Sequence, residues 1–340
     1  MKYKSLLKLL TLGFSFALIL ASCTKEGPMG PAGADGTNGT NGTDGTNGVD
    51  GIAFCLECHT SGTIDGLTAQ WAGSGHAIGS SLARGTTSGC SRCHSGVGFS
   101  AYLAGSEDLS GSAIGCSACH SHGEPPVFQD GDGNAVFIST VDAVKLMTNA
   151  SVIIDMESNS NLCVNCHQPM TGIPTDNGEG MFTVTSTHWG PHHGPQSVVL
   201  EGLGGVEFPG SETYPGTKSH AHRKSAGCVK CHMEESNHNF ATPEVTACAT
   251  CHGEIDDFDV NGKLSEIHLL VEELSEILTE KGLLLDGHPN PGTYKIDEAS
   301  ALYNLLLIEE DKSEGVHNPP YTVALLTNSI EAMQAETASN

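Results

Sequence analysis

The apolar positions near the carboxyl end recur with helical spacing and predict three helices. The stripe that defines the first helix is Leu264, Ile267, Val271, Leu274 and Leu278. Gly282 is placed to end this helix, and His268 lies on its apolar side, where a core position is expected. A second helix is predicted from Asp297 to Asp311, and a third opens at Pro319. Their core candidates are Leu302, Leu305, Leu306, Ile308, Leu325, Leu326, Ile330 and Met333.

The preceding part of the chain, residues 53–260, has no comparable periodic run. An amphipathic stretch lies around Val141–Met147, and residues 168–227 are rich in Gly, Pro and His, a composition typical of loops. The 42 glycines and the low aromatic content of 5% form a poor side-chain core. The sequence therefore predicts a mainly α protein with much irregular loop and little β structure.

Six copies of the pattern C-x-x-C-H change this picture. Their cysteine pairs are Cys55 and Cys58, Cys90 and Cys93, Cys116 and Cys119, Cys163 and Cys166, Cys228 and Cys231, and Cys248 and Cys251. The histidines that follow them are His59, His94, His120, His167, His232 and His252. This pattern attaches c-type haem, with the two thiols bonded to the porphyrin and the histidine as proximal iron ligand. The motifs use twelve of the 13 cysteines, so we predict six haem c groups rather than disulfides or zinc sites.

The spacing of the motifs predicts how they group. The first three follow one another closely and are expected to be neighbours, the Cys163 motif stands alone, and the last two form a tight pair. The haems, as large apolar plates, are expected to replace much of the missing side-chain core.

Eleven histidines lie outside the motifs and are available as sixth ligands. A distal ligand must come from outside its own motif, because the motif covers the opposite face of the haem. Our candidates, chosen for their places in loops or beside motifs, are His76, His192, His193, His220, His238 and His317. The weaker or reserve positions are His122, His188, His222, His268 and His288. Methionine ligation is the alternative that this excess of histidine disfavours.

Residues 1–22 are predicted to be an export signal. Lys2, Lys4 and Lys8 precede an apolar run that ends at Ala21 and is shorter than the roughly 20 residues of a membrane span. The sequence Leu20-Ala21-Ser22-Cys23 resembles the bacterial lipobox, which implies cleavage before Cys23 and its lipidation. A free thiol at Cys23 is the alternative. We therefore expect an outer-membrane lipoprotein with its haem domain in the periplasm or on the cell surface.

Glycine occupies every third position from Gly27 to Gly51. This period resembles collagen, although proline occurs only at positions 28 and 31. Residues 23–52 are therefore interpreted either as a flexible tether behind the lipidated cysteine or as a short stalk that forms a homotrimer or filament.

The net charge of −25 excludes nucleic acid as a partner, because phosphate binding requires clustered Lys and Arg. Only three arginines are present, at positions 84, 92 and 223. Such acidity favours electron donors and acceptors with basic patches, or cationic extracellular acceptors, and it also keeps an exported protein soluble.

Three blocks resemble recurring sequences of bacterial multihaem c-type cytochromes. They are Gly89–His94 followed by Gly98-Phe99, His188–Gln196, and Gly315–Tyr321. The last block is similar to the helical C-terminal region of pentahaem nitrite reductases and their octahaem relatives, where the position of His317 carries a distal ligand. The resemblance covers about residues 53–335 in discontinuous pieces. From the motifs and the helical pattern we expect one hexahaem domain over residues 53–340, with a stack of haems in 53–260 and a helical part in 261–340.

Two functions follow from the resemblance. The first is electron transfer through bis-histidine haems, and the alternative is reduction of small nitrogen or sulfur oxyanions at one haem with an open position. Most nitrite reductases mark the catalytic haem with lysine in place of the motif histidine, whereas all six motifs here end in histidine. We therefore favour an electron carrier over an enzyme.

Overall fold

The computed structural model describes residues 60–78, 80–121, 127–129 and 135–338. The predicted signal peptide, Cys23, the glycine-triplet segment, the motif Cys55–His59 and His122 lie outside these residues. The described part belongs to one compact unit, Cys55–Asn340.

The motif-bearing half, the described part of residues 60–260, is built from short helices joined by long loops. The helices are α1 Ser61–Ala72, α2 Gly75–Ile78, α3 Ser91–His94, α4 Gly96–Leu103, α5 Cys116–Cys119, α6 Asn161–Val164, α7 Gln196–Glu201, α8 Ala221–Ser225, α9 Gly227–His232 and α10 Ala249–His252. Single 3₁₀ turns occur at Ser80–Thr86, Glu234–Ser236, Val245–Cys248 and Val260–Gly262. Isolated helices of this length are unstable in water, so their packing partners decide their stability.

The described strands form four antiparallel pairs of two strands each. The strands are β1 Val127–Gln129, β2 Ala135–Phe137, β3 Val144–Lys145, β4 Ile153–Ile154, β5 Met181–Val184, β6 Leu284–Leu285, β7 His288–Pro289 and β8 Gly292–Lys295. The predicted fold class, mainly α with much loop and little β, is confirmed. The interpretation of residues 168–227 as loop is only partly correct, because β5, α7 and α8 lie within them.

The three C-terminal helices are present at their predicted places as α11 Lys263–Glu280, α12 Ile296–Asp311 and α13 Pro319–Ala338. Gly282 ends α11 with a left-handed φ of 79°, and its N–H bonds to the carbonyl of Thr279 at 2.9 Å. The predicted core position of His268 is wrong. Its side chain is 56% exposed and lies beside Glu314, because it falls on the solvent-facing edge of the apolar stripe.

The main apolar core lies among these helices and the segments that pack on them. Its fully buried side chains include Leu302, Tyr303, Leu305, Leu307, Tyr321, Leu325 and Leu326. Helix α12 is buried along nearly its whole length. The Tyr303 hydroxyl of α12 donates to the Thr171 carbonyl of the motif-bearing half at 2.7 Å. Strand β8, which comes directly before α12, pairs with β5 of that half. No helix in the described residues is long and apolar enough to cross a membrane.

Candidate functional site

A single helical turn shapes the described C-x-x-C-H motifs. The histidine N–H donates to the carbonyl of the first cysteine at 2.9 Å in the Cys90 motif, 2.8 Å in the Cys116 motif and 2.9 Å in the Cys163 motif. Residues three and four apart on a helix share a face, so this turn groups two thiols and an imidazole. None of the ten described motif cysteines takes part in a disulfide.

Each described motif histidine has a second histidine ring at nearly the same distance. The pairs and their centroid separations are His94 and His192 at 6.2 Å, His120 and His238 at 6.1 Å, His167 and His76 at 6.2 Å, His232 and His317 at 6.3 Å, and His252 and His222 at 6.0 Å. The second histidines come from different parts of the chain, at positions 76, 192, 222, 238 and 317.

This separation fits one metal ion held between two imidazoles. Two metal–nitrogen bonds of about 2 Å each, added to the two ring radii, place the centroids about 6 Å apart. The rings of His220 and His222, which form no such pair with each other, lie closer, at 4.6 Å. Each pair of imidazoles also has the two cysteines of its motif beside it. Two imidazoles and two thiols are the set of side chains that suits a six-coordinate c-type haem.

Most of these rings hold Nδ1 in a hydrogen bond. The acceptors are backbone carbonyls for His120 (Phe137, 2.9 Å), His222 (Val316, 2.7 Å), His232 (Ala241, 3.1 Å) and His238 (Ser236, 2.7 Å). The side chains of Gln196 at 3.1 Å and Asp311 at 2.8 Å accept from His167 and His317. A carbonyl or carboxylate only accepts, so Nδ1 carries the proton and Nε2 keeps the lone pair for a metal.

The electrostatic surroundings keep most of these rings neutral, which metal binding requires. Burial, and after it the nearby His167, lowers the pKa of His76 to about 4. Burial also lowers the pKa of His94 and of His192. His317 differs: burial acts to lower its pKa, but the charge and hydrogen bond of Asp311 outweigh this and raise the pKa overall.

The Cys163–His167 motif lies between two others. On one side, Cys93 Sγ lies 3.9 Å from the Asn165 carbonyl and Cys166 Sγ lies 3.7 Å from the Arg92 carbonyl. On the other side, the thiols of Cys163 and Cys228 contact each other. The sequence spacing suggested that the Cys163 motif stands alone, but the fold makes it central because its neighbours come from distant parts of the chain.

No protein-family model matches the chain, and no curated protein matches it. Among solved structures, the chain is similar to the outer cell wall cytochrome OcwA, with a TM-score of 0.50 and 22% identity. This likeness shows that the two chains share a fold over the aligned residues. The alignment covers 78% of this chain and 50% of OcwA, so the chain spans half the length of that cytochrome.

Four of the six candidate distal histidines, His76, His192, His238 and His317, belong to the pairs described above. The other two lie differently. The side chain of His193 is 74% exposed and contacts Glu310. The side chain of His220 caps helix α8 by accepting the N–H of His222 at 3.3 Å. Their ligand roles stay predictions.

His222 is the paired residue that the sequence analysis held only in reserve. The next residue, Arg223, is buried and donates to the buried carboxylate of Glu201 and to the Asp155 carbonyl. This ion pair fixes α8 and so places the His222 ring opposite His252. The local sequence carries no clear signal for this, because the preferred helix caps are Ser, Thr, Asp and Asn rather than histidine.

Proposed function

We propose that this chain is an electron-transfer protein that binds six haem c groups covalently, one at each C-x-x-C-H motif. Its support is the set of five histidine pairs at 6.0–6.3 Å in the described residues. Haem iron, when bound, exchanges one electron between its ferric and ferrous forms. The sixth group belongs to Cys55, Cys58 and His59, on the motif alone.

The residues have separate tasks in this proposal. The cysteine pairs fix each porphyrin by thioether bonds, and the paired imidazoles hold its iron from both faces. The carbonyls and side chains that accept from Nδ1 set the orientation and basicity of the rings. Two imidazoles would bind the iron at each of these five sites and would leave no ligand position for a substrate, which favours a carrier over an enzyme.

The setting proposed for this carrier rests on the sequence. Lipidation at Cys23 would anchor it to the outer membrane, and residues 24–52 would hold the haem domain away from the lipid. The acidic charge favours basic partner cytochromes, reductases or extracellular acceptors. Trimer or filament formation through the glycine triplets is part of the same proposal.

A haem count combined with low-temperature EPR of the oxidised holoprotein tests the function. We expect six haems per chain by pyridine haemochrome assay and only low-spin signals. The competing reductase would need one haem with an open ligand position. The five described sites each have a second histidine, so the haem at His59 would have to be the catalytic one. A high-spin haem together with turnover of nitrite, hydroxylamine or sulfite at enzyme-like rates would overturn the carrier proposal.

A further inference from the structure

The ring of His317 has a hydrogen-bond acceptor of a different kind from those of the other pairs. In the described residues, it is the paired ring whose Nδ1 donates to a carboxylate, Asp311 Oδ1, at 2.8 Å. The side chain of Asp311 is 1% exposed. In two other pairs, rings donate to neutral backbone carbonyls. His232, the partner of His317, also has a backbone carbonyl as its acceptor, that of Ala241.

The end of α12 holds this carboxylate in place. Asp311 is the last residue of α12, and Lys312 follows with a left-handed φ of 58°. The Ser313 hydroxyl donates to Asp311 Oδ2 and accepts the N–H of His317 at 3.2 Å. The turn between α12 and α13 therefore brings His317 back to Asp311 and orders both side chains.

The same helix end also reaches the neighbouring site. The Gln196 side-chain amide donates to the carbonyls of Glu310 and Asp311, each at 3.2 Å. Its oxygen accepts from Nδ1 of His167 at 3.1 Å. Ligands of two adjacent sites are thus tied to one helix end, one through a buried carboxylate and the other through a neutral amide.

These two acceptors act differently on an iron ligand. A carboxylate draws the Nδ1 proton and makes the imidazole a stronger electron donor, which favours ferric iron. Its negative charge, in a buried setting of low effective dielectric constant, acts in the same direction. A neutral amide draws the Nδ1 proton more weakly and carries no net charge, so it favours ferric iron less.

We propose that Asp311 is a positioning residue that sets a redox difference between two neighbouring haems. The haem held by His232 and His317 has the lower reduction potential, and the one held by His167 and His76 has the higher. Electron transfer between them is then biased from the His232 site toward the His167 site. This inference rests on the proposed function, since it requires haem at both motifs.

The test is the substitution Asp311→Asn in the full-length holoprotein. Asn keeps the shape and an acceptor oxygen but removes the charge. In an equilibrium spectropotentiometric titration, the part of the absorbance change that one haem contributes should shift to higher potential. One low-spin EPR signal should also change. Asp311→Glu, which restores the carboxylate, should return both toward wild type. Glu314→Gln is the matched control, because it removes an exposed carboxylate three residues away and should change neither.

The outcomes separate the two proposals. Wild-type protein without haem at these motifs would defeat the proposed function. Full haem loading with superimposable titration curves for wild type and Asp311→Asn would defeat only the role of Asp311. If the Asn variant binds fewer haems, an EPR-monitored titration of wild type replaces it. In that titration, the haem with the signal of a strongly hydrogen-bonded imidazole should be reduced after the haem of the His167 site, and the reverse order of these two would overturn the inference.

Discussion

Residues 60–143 and residues 263–338 bury their side chains in very different ways. The described part of the first stretch has three buried apolar residues, Phe99, Ala118 and Ile138. The second stretch contains most of the fully buried large side chains of the protein. Only the second has enough apolar side chain for an ordinary core. Under the proposed function, haem would supply the apolar contact that the first stretch lacks, and this would account for short helices around its motifs beside long, well-packed helices.

The largest expected effect comes from removing the central haem. Cys163→Ala with Cys166→Ala should remove one haem per chain and lower the thermal unfolding temperature by more than the same change at Cys248 and Cys251. The physical reason is that the Cys163 motif contacts motifs on both sides, whereas Cys251 is exposed. Haemochrome assay and calorimetry measure both quantities, and equal losses of unfolding temperature would contradict the central role.

The second prediction concerns the helical region alone. Leu305→Ala leaves a cavity at a side chain with 0% exposure and should lower the free energy of unfolding by about 2–5 kcal/mol. The haem count and EPR spectrum should stay as in wild type. Leu269→Ala on α11, where the side chain is 67% exposed, is the control and should change the free energy by about 0.5 kcal/mol or less. Loss of haem in Leu305→Ala would show that haem binding in the motif-bearing region depends on the packing of the helical core.

The smallest expected effect tests close packing in the motif-bearing region. A Cβ at Gly98 would lie 2.4 Å from the Ser91 carbonyl oxygen, so Gly98→Ala must push α4 away from α3, which carries His94. We expect a loss of about 1–3 kcal/mol in unfolding free energy and a change in one haem's EPR signal.

Gly62→Ala on α1 is the matched control. No atom lies within 4 Å of a Cβ built at Gly62, so the substitution should stabilise that helix by up to about 1 kcal/mol. A similar destabilisation in both glycine variants, measured by chemical denaturation, would mean that the contact with Ser91 does not decide the result.

The sequence by itself determined the features that depend on neighbouring residues. The C-x-x-C-H turns are local, because one hydrogen bond across four residues groups the thiols and the imidazole. The three C-terminal helices were predictable because an apolar stripe with period 3.6 requires a buried face. His268, at the edge of that stripe, marks the limit of the argument, since periodicity does not say how wide the covered face is.

The tertiary structure decided which histidine faces which motif and where each motif lies. His76 pairs with His167 rather than with the nearer motif histidine at position 94, because the loops carry the chain around the Cys163 motif. His222 faces His252 because a buried ion pair orients α8 while His220 is used as its cap. Asp311 acquires its place beside His317 only through the turn after α12. The histidine pairs join residues far apart in sequence, and the path of the chain between them depends on packing that no local pattern encodes.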